Sequence, residues 1–148
     1  MSVNANTSGR ADISSRDDVL RLVEAFYARA FADDLIGPIF TEVAHMDLAG
    51  HLPIMADFWQ TVLFRAGLYK RNALQVHFDL DARQPLTAKH FDRWLHLWSA
   101  TVDDLFSGEK AELAKVQAQR IAGSIHRRVT GRRASEYGTI AVRPDPPK

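Results

Sequence analysis

Apolar residues recur at intervals of three and four along most of this chain, and polar punctuation divides them into helical blocks. Residues 1–14 mix Ser, Asn, Thr, Gly and Asp without a period, which predicts a mobile lead-in. From Ser15 onward, Leu20, Val23, Phe26, Tyr27, Ala30 and Phe31 fall on one helical face. Ser15 with Asp18 three positions on is a capping-box-like start. Asp33-Asp34 and Gly37-Pro38 end this helix and leave room for one short turn between Ile36 and Phe40. A second block spans about 47–66, with Met55, Phe58, Trp59, Val62 and Leu63 as its stripe. Pro53 near its start predicts either a helix beginning near Leu52 or a kink after an initial turn.

Between Gly67 and Pro85 the pattern loosens, allowing at most a short helix from about Arg71 to Phe78. Thr87 is expected to cap a third long helix carrying Phe91, Trp94, Trp98, Thr101 or Val102, and Leu105, stopped by Gly108. Ser107 is expected to cap the last helix, with Leu113, Val116, Ile121, Ala122, Ile125 and Val129 as core stripe and Gly131 as terminator. No run alternates with period two over strand length, so the class is all-α. The chain of 148 residues is enough for one compact domain. That domain is expected over 15–130, between the lead-in and a basic, proline-ending tail over 131–148.

Composition removes several chemistries. Zero cysteines exclude disulfides, thiolate metal sites, cysteine nucleophiles and iron–sulfur clusters held by cysteine. The 46% hydrophobic and 25% charged content is ordinary for a globular protein. No apolar run approaches the length of a spanning helix, and the amino end lacks the apolar core of a secretory signal. The expected location is therefore cytoplasmic, with no membrane partner. The net charge of +1 hides an asymmetry: Arg127, Arg128, Arg132, Arg133, Arg143 and Lys148 face only Glu136 and Asp145, so the end of the chain carries +4. Without interleaved aromatics or a DNA-binding motif, this reads as a solvated terminus, and no nucleic-acid partner is expected.

Six histidines invite a metal reading, but no HxxxH spacing occurs. His90 and His96, six apart, point in directions differing by roughly 240° around a helix. Nothing pairs three or four ligands from separate elements, as zinc requires. The doublets Asp33-Asp34 and Asp103-Asp104 sit at turns or helix ends, where solvated caps are the usual explanation. Neither a glycine-rich phosphate loop nor a nucleophile elbow is present. A haem protein needs less from its chain, since the porphyrin supplies four ligands to the iron and a single histidine completes the proximal side. Taken alone, His77 reads more readily as a polar or capping histidine, Tyr27 and Trp94 as core residues, and His51 as a cap near Pro53.

A spaced series changes that balance. Phe26-Tyr27, Leu35-Ile36-Gly37-Pro38-Ile39-Phe40, His51-Leu52-Pro53 with Asp57-Phe58-Trp59, Tyr69-Lys70, His77, and His90-Phe91-Asp92-Arg93-Trp94-Leu95 stand in the order and spacing of the group III truncated haemoglobins. The resemblance covers about residues 15–127. It implies a truncated globin fold, a helix-on-helix sandwich around haem b, with His77 as axial ligand to the iron. It places Tyr27, His51 and Trp94 on the distal side, where phenol and indole hydrogens stabilise the charge that dioxygen acquires. Phe40 would pack on the porphyrin, Met55 and Phe58 would line the pocket, and Tyr69, Arg71 or Arg65 could reach a propionate. Arg71 and Ala73 replace the glycine and proline of many relatives, so the loop before His77 is expected to differ.

The resemblance implies binding of O2 and of NO, CO, cyanide, peroxide or sulfide. Several distal donors favour oxygen or NO chemistry (NO dioxygenation or peroxide handling) over bulk oxygen transport. Any such activity, NO-dioxygenase or peroxidase-like, would need an external electron donor, because the chain has no flavin or nicotinamide domain. The alternatives are a haem-based gas sensor or storage protein signalling through a partner, and a haem-free helical interaction module.

Overall fold

The computed structural model describes residues 9–65, 67 and 73–142, with backbone alone over 73–74 and 132–142. Five α-helices follow one another: α1 (Arg16–Ala32), α2 (Leu48–Phe64), α3 (Ala73–Arg83), α4 (Ala88–Leu105) and α5 (Glu109–Val142). A π-type turn, Ile39–Val43, lies between α1 and α2. No strand occurs among the described residues, as the helical periodicity predicts. Helix α1 packs on α2 and α4, while α5 packs on α4, α2 and α3.

Helix α1 begins as its sequence dictates. The Ser15 hydroxyl accepts the Asp18 amide at 3.2 Å, whereas the short Asp18 carboxylate reaches back past Ser15 to the Ser14 amide at 2.8 Å. Val19, Leu22, Val23, Phe26, Tyr27 and Ala30 are buried, so the apolar face sits where the period places it. Helix α2 opens a full turn before Pro53. Of the two expected arrangements, the initial turn ahead of the proline is the one adopted.

Four expectations about element ends are corrected. The mobile lead-in does not extend to residue 14: Ile13 is buried, and the Asp12 carboxylate accepts the Lys110 and Ala111 amides at 2.8 Å each. Asp12, and not Ser107, thus caps α5; the Ser107 amide instead donates to Ala11 O at 3.0 Å. Gly108 permits this closeness, since its φ is +141° and a Cβ there would lie 2.5 Å from Asp12 Cγ. At the other end, Gly131 does not stop α5, which runs on to Val142. A glycine within a helix costs only about 1 kcal/mol relative to alanine, and the Arg-Arg-Ala run that follows favours helix. Helix α3 also outlasts its expected end at Phe78, reaching Arg83. Asp81 is buried beyond it and accepts the Leu86 amide at 2.8 Å, closing the turn that carries Pro85.

The core centres on Trp98, which stacks on Trp59 at 4.4 Å and donates its indole N–H to Ala114 O at 3.2 Å. The face of α5 turned to this core is Ala111, Ala114, Ala118, Ala122, Ile125 and Val129, all buried and spaced by three and four. Val116, expected on that stripe, is 40% exposed. Alanines let α5 approach closely enough to receive the indole, a role that a search for bulky residues passes over.

Candidate functional site

Helix α2 has two apolar stripes. Ala56, Trp59 and Leu63 are buried in the core, while His51, Met55, Phe58 and Val62 are only half-buried. Helix α4 divides similarly: Trp98, Thr101 and Val102 are buried, and Phe91 and Trp94 are partly open. Helix α3 buries no apolar side chain among its described residues, and Val76 is 57% exposed. These incompletely covered faces surround one cavity of about 700 Å³, within the range of about 300–1,000 Å³ usual for small-molecule and cofactor sites.

Seven of the residues singled out from sequence line this cavity: Tyr27, Phe40, His51, Met55, Phe58, His77 and Trp94. Tyr69 and Arg71 lie outside the described residues. Arg65 ends α2 in a left-handed conformation, φ 57°, and is absent from the lining. Sequence reasoning missed Arg83, His45 and His90, which do line the cavity. Their local patterns gave no signal, because a cation at a helix end and a histidine at a turn are ordinary surface features.

One side of the cavity is polar and closely organised. Tyr27 Oη and His51 Nε2 lie 3.2 Å apart and share a hydrogen bond whose direction follows the histidine tautomer. Tyr27 is held by ring edges, with Phe26 at 5.1 Å and Phe40 at 5.7 Å. Burial pushes its phenol well above the ordinary tyrosine pKa, because the charged phenolate would lose its hydration. The hydroxyl therefore keeps its proton and remains able to donate. Trp94 is fixed from two directions, edge-on to Phe26 at 5.6 Å and stacked on Trp98 at 5.9 Å.

Two ion pairs brace this arrangement. Arg16 on α1 bonds Asp57 at 2.8 Å and Gln60 at 2.9 Å on α2, near the helix segment that presents His51. Arg93 on α4 bonds Asp33 at 2.6 Å, and the same carboxylate accepts the Leu35 and Ile36 amides at 3.0 Å. Burial raises the Asp33 pKa, but the Ile36 amide, the Arg93 guanidinium and the Leu35 amide outweigh it and hold the carboxyl below its ordinary value. The Asp57 and Arg93 of the recognised series therefore brace helices.

His90 is also partly structural. Its Nδ1 accepts the Thr87 amide at 3.0 Å, which completes half of a capping box with a histidine in the usual glutamate position. Burial lowers its pKa, favouring the neutral ring that this acceptor role requires. Among the described residues, no group of three His, Asp or Glu could hold a metal ion.

The helical order superposes on a known architecture. The crystal structure of the group III truncated haemoglobin from Campylobacter jejuni matches with a TM-score of 0.71 over 81% of this chain and 94% of that one, at 24% identity. This is the truncated haemoglobin fold. In sequence, the chain is 26% identical over 111 residues to the group 3 truncated haemoglobin of Campylobacter jejuni, covering 73% of this chain and 85% of that protein. The chain is thus similar to a group III truncated haemoglobin in sequence as well as in fold. No protein-family model matches the chain. In this truncated haemoglobin fold, α2 and α3 both line the cavity, bringing His51 and His77 to one space although they stand 26 positions apart in sequence.

The donor set fits a haem. The walls are predominantly apolar, as a porphyrin requires, and a neutral imidazole from His77 is the ligand type that haem iron takes from a globin. The exposed Val76 beside it adds apolar surface to the lining. A second, shallower depression of about 580 Å³ lies outside, between α2 and α5, and shares Phe58, Ile121 and Ile125 with the cavity.

Proposed function

We propose that the cavity holds a b-type haem carried by His77, and that the protein binds O2 and other diatomic ligands on the side of Tyr27, His51 and Trp94. What supports this reading is that His77 and the hydrogen-bonded Tyr27–His51 pair line one apolar cavity in a truncated haemoglobin fold. The haem, when bound, supplies the iron that coordinates a diatomic ligand. Every other requirement falls on the chain.

Apolar walls exclude water and strengthen each remaining hydrogen bond. The buried Tyr27 hydroxyl, kept protonated by its surroundings, is a donor at a fixed point. If His51 Nε2–H donates to Tyr27 Oη, the phenol hydrogen is free to point at the ligand; if Tyr27 donates to His51, it is not. Trp94 contributes an indole N–H, which can only donate. Such a set retains oxygen and favours oxygen or NO chemistry, with electrons from a separate donor, over bulk transport.

The experiment is spectroscopic. Protein reconstituted with hemin should take up one equivalent and show a Soret band. His77→Gly should lose the five-coordinate ferrous spectrum and regain it with added imidazole. A variant with an unchanged ferrous spectrum would move the ligand to another residue, His51 first.

A further inference from the structure

We propose that Arg83 is the carboxylate-binding residue of the cavity and takes a propionate of the haem. The proposal rests on the haem reading above and adds a residue that sequence did not single out.

A haem presents two carboxylates, and an apolar cavity must meet them with donors at its edge. Among the described lining residues, Arg83 is the single permanent cation. It lies in the last turn of α3, six positions after His77, and its side chain is exposed. That exposure suits a partner for carboxylates at the solvent edge of a cavity.

The guanidinium is also held in place. Nη1 donates to Val43 O at 2.8 Å, which ties the end of α3 to the π-type turn. One donor is used and four remain, in the rigid fork that matches a carboxylate. The ion pairs formed by described residues occupy Arg16, Arg29, Arg93 and Lys115, and Arg83 pairs with no carboxylate among them. Two positions after Val43, His45 adopts a left-handed conformation, φ 49°, and also lines the cavity. The bond to Val43 therefore brings the guanidinium to the segment that presents a second side chain with N–H donor capacity, the His45 imidazole. Asp47 is the single carboxylate among the described lining residues.

A purely structural Arg83, present only to hold Val43, would make the same hydrogen bond. The two roles separate through the ligand. Ferric protein is loaded with hemin or with hemin dimethyl ester, whose carboxylates are capped, and porphyrin release to an excess of a scavenging apoglobin is followed by absorbance. Arg83→Gln should release hemin faster by on the order of tenfold, the loss of one charge-assisted hydrogen bond. It should release the dimethyl ester at the wild-type rate. Arg83→Lys, which keeps the charge and a donor for Val43, should fall between for hemin. Equal acceleration for both porphyrins, or none for hemin, would overturn the proposal. Should wild-type protein retain neither porphyrin, the haem reading itself falls; retention with an indifferent Arg83→Gln removes only the propionate role.

Discussion

Replacing Tyr27 by Phe removes one oxygen atom from the cavity and little else. The ring keeps its edge contacts with Phe26, Phe31 and Phe40, and the position is already buried at 7% exposure. What disappears is one neutral hydrogen bond in a dry pocket. Such a bond contributes about 1–1.5 kcal/mol net, so with His51 donating and the phenol hydrogen on the ligand, O2 dissociation should accelerate roughly fivefold to tenfold. The assay is stopped-flow displacement of O2 from the reduced protein, repeated for His51→Leu and for the double variant. The sign of the His51 effect reports the direction of the 3.2 Å bond. With His51 donating, its loss frees the phenol from its orienting partner and dissociation quickens. With Tyr27 donating, its loss releases a hydrogen toward the ligand and dissociation slows. In either case the two changes should be non-additive, because the residues act as one unit. Tyr27→Phe and His51→Leu rates both within twofold of wild type, or strict additivity, would refute the reasoning.

Two further predictions concern the frame around the site. Asp12→Ala removes both amide contacts at the start of α5 and should cost about 2 kcal/mol, lowering Tm by about 4–8 °C in thermal unfolding followed by circular dichroism; a shift under about 1 °C would mean that Asp12 is no cap. Because Asp33 is held below its ordinary carboxylate pKa, its contribution is complete above about pH 4 and is lost as pH falls through the folded value. Urea unfolding of Asp33→Asn should therefore show a flatter decline in stability than wild type below about pH 4, and superimposable acid limbs would contradict this.

Helix positions in the first half of the chain were legible because bulky apolar residues carry the pattern. Val23, Phe26, Tyr27 and Ala30 fall on the buried face of α1 at the expected spacing. The misreadings have physical causes. In α5 the core face is mainly alanine, and a stripe chosen by hydrophobic bulk rotates away from it to Val116. The cap of α5 comes from Asp12, about a hundred residues upstream, so no local window contains it. Gly131 looked like a stop, yet nothing there forces the left-handed conformation in which glycine earns its terminal role. At the site, aromatic and histidine positions could be placed through a spaced series. Arg83 could not, because its role depends on the turn at Val43 and on a helix that outlasts Phe78.

Helix α3 buries no apolar side chain among its described residues and lies against the cavity. Beyond its packing on α5 and the Arg83–Val43 hydrogen bond, its docking energy comes from whatever fills that space. For the haem-binding protein proposed here, loading is then the last step of folding, and ligand affinity adds directly to the stability of this one segment. A chain made without cofactor would present α3 as its weakest region, the kind that opens first in amide exchange and meets proteases earliest. The amount of protein that persists in a cell would then follow haem supply even at constant synthesis.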